Sequence, residues 1–108
     1  MTVHLPVKLR KEIIELVSSY TGVEKVILFG SRARGDHDER SNVDLAVEGS
    51  CLSHKEWVQL SLTLEEDLDS LLFVDVIRLE RAPEKLLGSI KKEGRVLYER
   101  GKGQEQSG

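Results

Sequence analysis

Polar residues that could do chemistry fall at three places in the sequence, each joined to a run of apolar residues. Gly30 and Ser31 follow the run EKVILF, Asn42 and Asp44 stand two residues apart in NVDLAVE, and Asp75 lies inside LLFVDVIRL. Side chains at positions i and i+2 of a strand point to one face, and an adjacent strand can add a third. Carboxylates placed in this way can hold divalent metal ions about 4 Å apart at a group-transfer site.

The glycine and serine suit a phosphate group. Backbone N–H groups and a small hydroxyl at the start of a helix attract anions, and a glycine lets the phosphate approach the backbone. Taken alone, a Gly-Ser pair after a strand is more often only a turn, and one acid on a strand is usually solvated. Asp75 is harder to explain in that way, because a carboxylate among apolar neighbours loses solvation unless it faces a cleft, a cation or a metal.

Hydrophobic periodicity predicts the elements that must position these residues. Ser53 and Glu56 have the spacing of a capping box, and Pro83 and Gly94 suit the start and end of a helix. In chain order, we expect a helix over 6–20, a buried strand over 24–29, a surface segment over 30–41 that opens with a helical turn, a strand over 42–48, a helix over 53–69, a central strand over 71–79, a short helix from 83 to 94 and an edge strand over 95–99.

This order predicts a two-layer α/β (α+β) fold, with a mixed sheet of about four strands flanked by helices. A chain of 108 residues has room for one small domain. We expect that domain to cover residues 1–100, and we expect the polar segment 101–108 to be a disordered tail.

Composition excludes several classes of protein. The single cysteine cannot form an internal disulfide, and no apolar run has the length of a membrane span, so we expect a cytoplasmic protein without membrane contact. The net charge of −3 is spread along the chain, and direct binding to DNA is therefore not expected. A homodimer is compatible with so small a core.

The motifs together resemble those of a known family. LFGSRARG (28–35) is followed by SNVDLAV (41–47), ten residues separate Ser31 from Asn42, and GRVLYE lies near the C-terminus. This pattern resembles the minimal nucleotidyltransferases (MNT) of the DNA polymerase β-like superfamily over roughly residues 7–99. The resemblance implies a nucleotidyltransferase (polymerase β palm-like) fold.

The resemblance also implies roles for individual residues. Gly30 and Ser31, with Arg34, would bind the phosphates of an NTP, for which ATP is the expected choice. Asp44 and Asp75 would be the catalytic carboxylates and ligands of Mg²⁺, and Asp75 would also accept the proton of the attacking hydroxyl.

The two arginines after Ser31 have an alternative interpretation. Either Arg32 or Arg34 could contact phosphate, but an arginine beside an acidic loop can equally pair with Asp36, Asp38 or Glu39 at the surface.

The chain departs from the family pattern at Asn42, which stands where the family has its first aspartate. A neutral amide offers one carbonyl oxygen and no negative charge, so Asn42 would be a weak third metal ligand. Loss of an anionic ligand typically lowers the transfer rate by roughly 10² to 10⁴.

Two functions therefore stay open. Members of the family often act with a separate helical HEPN protein, as antitoxins that transfer AMP to it, so the resemblance implies transfer of a nucleoside monophosphate to a hydroxyl acceptor with a HEPN partner. The alternative is a catalytically impaired module that keeps the fold and acts by protein–protein interaction.

Overall fold

The structure, a computed structural model, describes residues 5–35, 42–67 and 72–100. The predicted disordered tail at 101–108 and the acidic residues at 36, 38 and 39 lie outside these ranges, as do the last residues of the predicted 53–69 helix and the first of the 71–79 strand. In chain order, the elements are α1 (Val7–Ser18), β1 (Lys25–Phe29), α2 (Ser31–Arg34), β2 (Val43–Glu48), α3 (His54–Leu62) with a π-helical turn (Thr63–Asp67), β3 (Val74–Arg78) with a 3₁₀ turn (Leu79–Arg81), α4 (Glu84–Glu93) and β4 (Arg95–Glu99).

The strands form a four-stranded mixed sheet in the order β3-β2-β1-β4. β1 is antiparallel to both of its neighbours, whereas β2 and β3 are parallel. The parallel pair follows from the long connection through α3, because parallel neighbours need a crossover. The predicted architecture, a mixed sheet flanked by helices, is confirmed.

Side chains alternate along the central strands β1 and β2, so the sheet has a core face and an opposite face. The face that carries Asp44 is called the site face below. Val26 and Leu28 of β1 are fully buried with Val47 and Leu45 of β2, to which they are paired. Since successive side chains of a strand point to opposite faces, Asp44 lies on the other face. The core face is covered by the apolar side of α1, in which Ile13 is fully buried.

The capping box that the sequence predicts is present at the start of α3. The Ser53 hydroxyl accepts a hydrogen bond from the Glu56 N–H at 3.1 Å, and the Glu56 carboxylate accepts one from the Ser53 N–H at 3.0 Å. The α-helix is shorter than predicted, because it passes into the π-helical turn after Leu62. At that point the Thr63 hydroxyl donates to the Gln59 carbonyl at 2.9 Å, a contact that competes with regular helical hydrogen bonding.

The prediction that residues 71–79 form a central strand is wrong, because β3 is at the edge of the sheet. Only one of its sides pairs with a strand, and Phe73 just before it is 74% exposed. On the other side, the Val76 N–H donates to the Glu65 carboxylate at 3.3 Å, which covers part of the free edge. An apolar run indicates a buried strand, but it does not tell how many neighbours that strand has. The predicted edge position of β4 is confirmed.

Among the described residues, no helix has both the length and the apolar character needed to cross a bilayer.

Candidate functional site

The turn after β1 brings the backbone against a carboxylate. Gly30 has φ of +81°, a left-handed conformation that residues with a Cβ rarely adopt. A Cβ added at Gly30 would also overlap Oδ2 of Asp44. The glycine is therefore needed both for the turn and for the close approach of Asp44. Ser31 follows as the first residue of α2, so the predicted phosphate-binding pair lies directly beside Asp44.

The two candidate catalytic carboxylates face each other across the parallel strands. Asp44 of β2 and Asp75 of β3 are register partners, and their predecessors Val43 and Val74 are paired and buried in the core. Adjacent strands are about 4.8 Å apart, so both carboxylates project from neighbouring positions on the site face. The fold thus brings Asp44 and Asp75 together on neighbouring strands, as the sequence analysis expected.

The two carboxylates differ in their surroundings. Asp75 is exposed, because its apolar neighbours in sequence do not enclose it at the sheet edge. Asp44 is half-buried, and burial raises the pKa of Asp44 above its ordinary value of 3.8. The negative charge of Asp75 raises this pKa further, whereas the Arg34 guanidinium lowers it. A cation placed between the carboxylates would relieve their repulsion.

Asn42 joins the same site from the residue before β2. Its side-chain N–H donates to Oδ2 of Asp75 at 3.0 Å, so the amide is bound to one of the carboxylates. Within the described ranges, no group of three His, Cys, Asp or Glu residues is arranged to hold a metal ion. The oxygen atoms that could hold a metal ion here are those of Asp44, Asp75 and the Asn42 side-chain carbonyl. These oxygen atoms fit a hard divalent cation, with one negative charge fewer than three carboxylates would provide.

The two arginines of α2 have different surroundings. Arg32 is only 5% exposed, whereas the Arg34 side chain is 42% exposed and is the more accessible of the two to a ligand. Arg34 Nη1 forms an ion pair with Oε1 of Glu93 at 3.3 Å. Sequence reasoning missed Glu93, which lies 59 residues further along the chain and has no motif of its own.

Comparison with known proteins identifies the family. A family model described as "Polymerase beta, Nucleotidyltransferase" matches residues 11–103. The chain belongs to this nucleotidyltransferase family. Its structural neighbours include minimal nucleotidyltransferases of toxin–antitoxin complexes, which confirms the resemblance drawn from the motifs.

Two solved structures illustrate the likeness. A chain from a toxin–antitoxin crystal structure with AMP-PNP superposes with a TM-score of 0.69 and 25% identity, over 90% of this chain and 78% of that one. A chain from the complex of the tri-AMPylated Shewanella oneidensis HEPN toxin with its MNT antitoxin gives a TM-score of 0.63 over 91% of this chain and 76% of that one. Its identity of 23% makes this second likeness one of fold alone.

A relative in sequence is "Putative protein adenylyltransferase MJ0604" of Methanocaldococcus jannaschii. It is 51% identical over 35 residues, which are 32% of this chain and 35% of that protein. The match thus spans about a third of that relative.

Proposed function

We propose that this chain transfers AMP from ATP to a hydroxyl group of a HEPN-type partner protein, and so acts as the antitoxin of a toxin–antitoxin pair. The observation that carries the proposal is the placement of Asp44 and Asp75 as register partners on the site face, beside the Gly30-Ser31 turn. Membership of the nucleotidyltransferase family supports the reaction type. Two findings support adenylate as the transferred group: a structural neighbour was solved with AMP-PNP, and the relative in sequence is named a putative protein adenylyltransferase.

Divalent metal ions serve nucleotidyltransferases in general, and we propose Mg²⁺ here. Asp44 and Asp75 would hold the ion, and the Asn42 carbonyl would be a neutral third ligand. When bound, a divalent ion neutralises negative charge on the phosphates and the reacting oxygens.

Residues of the chain itself would bind the phosphates and accept a proton. Gly30 and Ser31 bind the phosphates through backbone N–H groups and the hydroxyl. Arg34, at the end of the helix that follows this turn, adds positive charge. Asp75, which is exposed at the sheet edge, accepts the proton of the acceptor hydroxyl. Because Asp75 is exposed, an acceptor on a second protein can reach it.

The partner is proposed from the structural neighbours. One of them is described as a complex of a HEPN toxin with an MNT antitoxin, and that toxin carries AMP groups. The motif residues account for binding of the nucleotide and the metal ion. A HEPN protein that this chain modifies would supply the acceptor hydroxyl. We propose a cytoplasmic location for the pair, in agreement with the single free cysteine.

Asn42 favours a second candidate function. In this alternative, the chain keeps the fold and the nucleotide site but transfers AMP too slowly to matter, and it neutralises its partner by binding. The hydrogen bond from Asn42 to Asp75 supports it, because an amide replaces a third carboxylate and engages one of the remaining two.

A labelling experiment separates the two functions. The chain is incubated with α-³²P-labelled ATP, Mg²⁺ and the product of a neighbouring gene as candidate partner, and label on that protein is measured. We expect labelling by the wild type, none by Asp44→Ala, and undiminished labelling by the control Glu99→Ala, which lies at the other end of the sheet. Absence of label with both the wild type and Asn42→Asp, while the two proteins still form a complex, would leave the binding module as the function.

A thermal shift experiment tests nucleotide binding by itself. A ligand at about one hundred times its Kd stabilises a folded protein by about 2.7 kcal/mol. We therefore expect AMP-PNP with Mg²⁺ to raise the Tm of the wild type and to have little effect on Asp44→Ala. An unchanged Tm of the wild type at saturating nucleotide would contradict both functions.

A further inference from the structure

Glu93 lies outside the motif residues, yet it contacts one of them. It is the last residue of α4, and its carboxylate accepts a hydrogen bond from Arg34 Nη1 at 3.3 Å. The side chains are 32% and 42% exposed respectively, so both are accessible at the surface of the site. This contact joins the C-terminal end of one helix to the short helix that follows the Gly-Ser turn.

The position of Glu93 is unfavourable for its own helix. The C-terminal end of a helix carries partial negative charge, which favours lysine and arginine over glutamate. Lys91 and Lys92 in the same turn follow this preference, whereas Glu93 does not. The charge of Glu93 is therefore compensated by Arg34 rather than by α4.

The next residue, Gly94, fixes where the backbone of Glu93 lies. A Cβ at Gly94 would overlap the Ile90 carbonyl and the side chain of Ile27, so the end of α4 is in close contact with β1. Ile27 is two residues before Phe29, which is the register partner of Asp44. Backbone packing thus holds Glu93 at a constant place relative to the catalytic carboxylates.

Arg34 is also linked to Asp44. Its backbone N–H donates to the Gly30 carbonyl at 3.1 Å, and Gly30 lies so close to Asp44 that an added Cβ would overlap Oδ2 of that carboxylate. An arginine side chain has many rotamers when it is unrestrained, and an ion pair on a fixed partner reduces their number. Less conformational entropy is then lost when the guanidinium binds a ligand.

We propose that Glu93 is a positioning residue, which holds the Arg34 guanidinium in the orientation that receives the phosphates of a nucleoside triphosphate. The inference rests on the proposed function, in which Arg34 is a phosphate ligand. Glu93 itself does not touch the nucleotide, and its contribution passes entirely through Arg34.

A double-mutant cycle tests this role. The Kd of AMP-PNP with Mg²⁺ is measured by calorimetry for the wild type, Glu93→Ala, Arg34→Ala and the double variant. We expect Glu93→Ala to weaken binding about two- to fivefold, as is typical for loss of one solvent-accessible ion pair. In the Arg34→Ala background, the same substitution should have no further effect, because there is no guanidinium left to position.

Two controls separate positioning from general damage. Glu99→Ala removes the Lys25–Glu99 ion pair of 3.6 Å at the far end of β1 and should leave the Kd unchanged. Glu93→Ala should not lower the Tm of the ligand-free chain, since it removes a carboxylate from the negative end of a helix.

The outcomes distinguish this inference from the proposed function. Equal losses of affinity from Glu93→Ala with and without Arg34 would overturn the positioning role, and tighter binding by Glu93→Ala would show that Glu93 competes with phosphate instead. In both cases the proposed function stands, because the wild type binds nucleotide. A wild type that binds no AMP-PNP overturns the proposed function and this inference together.

Discussion

Asp44 and Asp75 are register partners on the parallel strands β2 and β3, and the charge of Asp75 adds to burial in raising the pKa of Asp44. The ion-free site therefore contains two carboxylates that repel each other, one of them half-buried. A divalent cation between the two carboxylates would remove this repulsion, and they lie beside the turn that we propose as the phosphate site.

The first prediction concerns the pH dependence of stability. The pKa of Asp44 is raised in the folded chain, so the folded state binds more protons than the unfolded state as pH rises above 3.8. The free energy of unfolding of the ion-free wild type should therefore fall relative to that of Asp44→Asn as pH rises from about 3 through the raised pKa, and the difference should then level off. Urea unfolding of both proteins at each pH, in the presence of a chelator, measures this difference in the free energy of unfolding.

Asp75→Asn is the companion variant for this pH series. It removes the repulsion but leaves Asp44 half-buried, so the pH dependence should be weaker than in the wild type without vanishing. A wild type that gains stability relative to Asp44→Asn over this range would contradict the predicted sign.

The second prediction uses two glycines of different surroundings. Gly30→Ala should lower the free energy of unfolding by at least about 1–2 kcal/mol, because φ is +81° and the added Cβ overlaps Asp44. It should also weaken the binding of Mn²⁺, the divalent ion used in these tests in place of Mg²⁺, because the added Cβ displaces the Asp44 carboxylate.

Gly88→Ala is the matched control, since open space surrounds Gly88 within α4. It should raise stability by about 0.5–1 kcal/mol. Comparable losses in both variants would argue against a special role for Gly30.

The third prediction concerns Asn42. Asn42→Asp replaces the hydrogen bond to Asp75 with a third negative charge, so the variant should have a lower Tm than the wild type in chelator. With Mn²⁺ it should gain more stability than the wild type, and its AMP-transfer rate should rise by roughly 10² to 10⁴. Calorimetric Mn²⁺ titration and the labelling assay measure these effects. Equal Mn²⁺ affinity in the two proteins would show that the third charge does not reach the metal.

The fourth prediction concerns Arg100, whose guanidinium donates hydrogen bonds to the carbonyls of Ser18, Tyr20 and Val23 at 3.0 to 3.2 Å. These carbonyls belong to the last residue of α1 and to the segment between α1 and β1. Arg100→Lys cannot reach all three from a single ammonium, so we expect a loss of about 1–3 kcal/mol in the free energy of unfolding.

Arg81→Lys provides the comparison for Arg100. Arg81 is exposed on the 3₁₀ turn, and its replacement should change the free energy of unfolding by no more than about 0.5 kcal/mol. Similar effects of the two substitutions in urea unfolding would show that the carbonyl contacts of Arg100 contribute little.

Much of the site could be predicted because its geometry depends on local periodicity. The alternation in NVDLAVE places Asp44 opposite the core residues Val43 and Leu45 whatever the neighbouring strands are. The capping box at Ser53 is likewise a local device, and it formed as predicted.

The contacts that the sequence did not reveal are those between distant segments. Glu93 and Arg34 are 59 residues apart, and Arg100 is 77 residues from Val23. Neither contact is part of a repeating pattern, because each depends on where whole helices and strands pack. The exposure of Asp75 has the same origin, since its apolar neighbours in sequence do not show what encloses it, whereas its place at the sheet edge leaves it exposed.

The sequence by itself determined the order of the elements, the face on which Asp44 lies and the family to which the motif belongs, because these follow from spacings within single segments. Only the tertiary structure decided that Asp75 is the register partner of Asp44 at the sheet edge, that Asn42 donates to Asp75, and that Glu93 forms an ion pair with Arg34. Those relations depend on strand order and helix docking, which bring residues together across the sheet and are set by packing of the whole core.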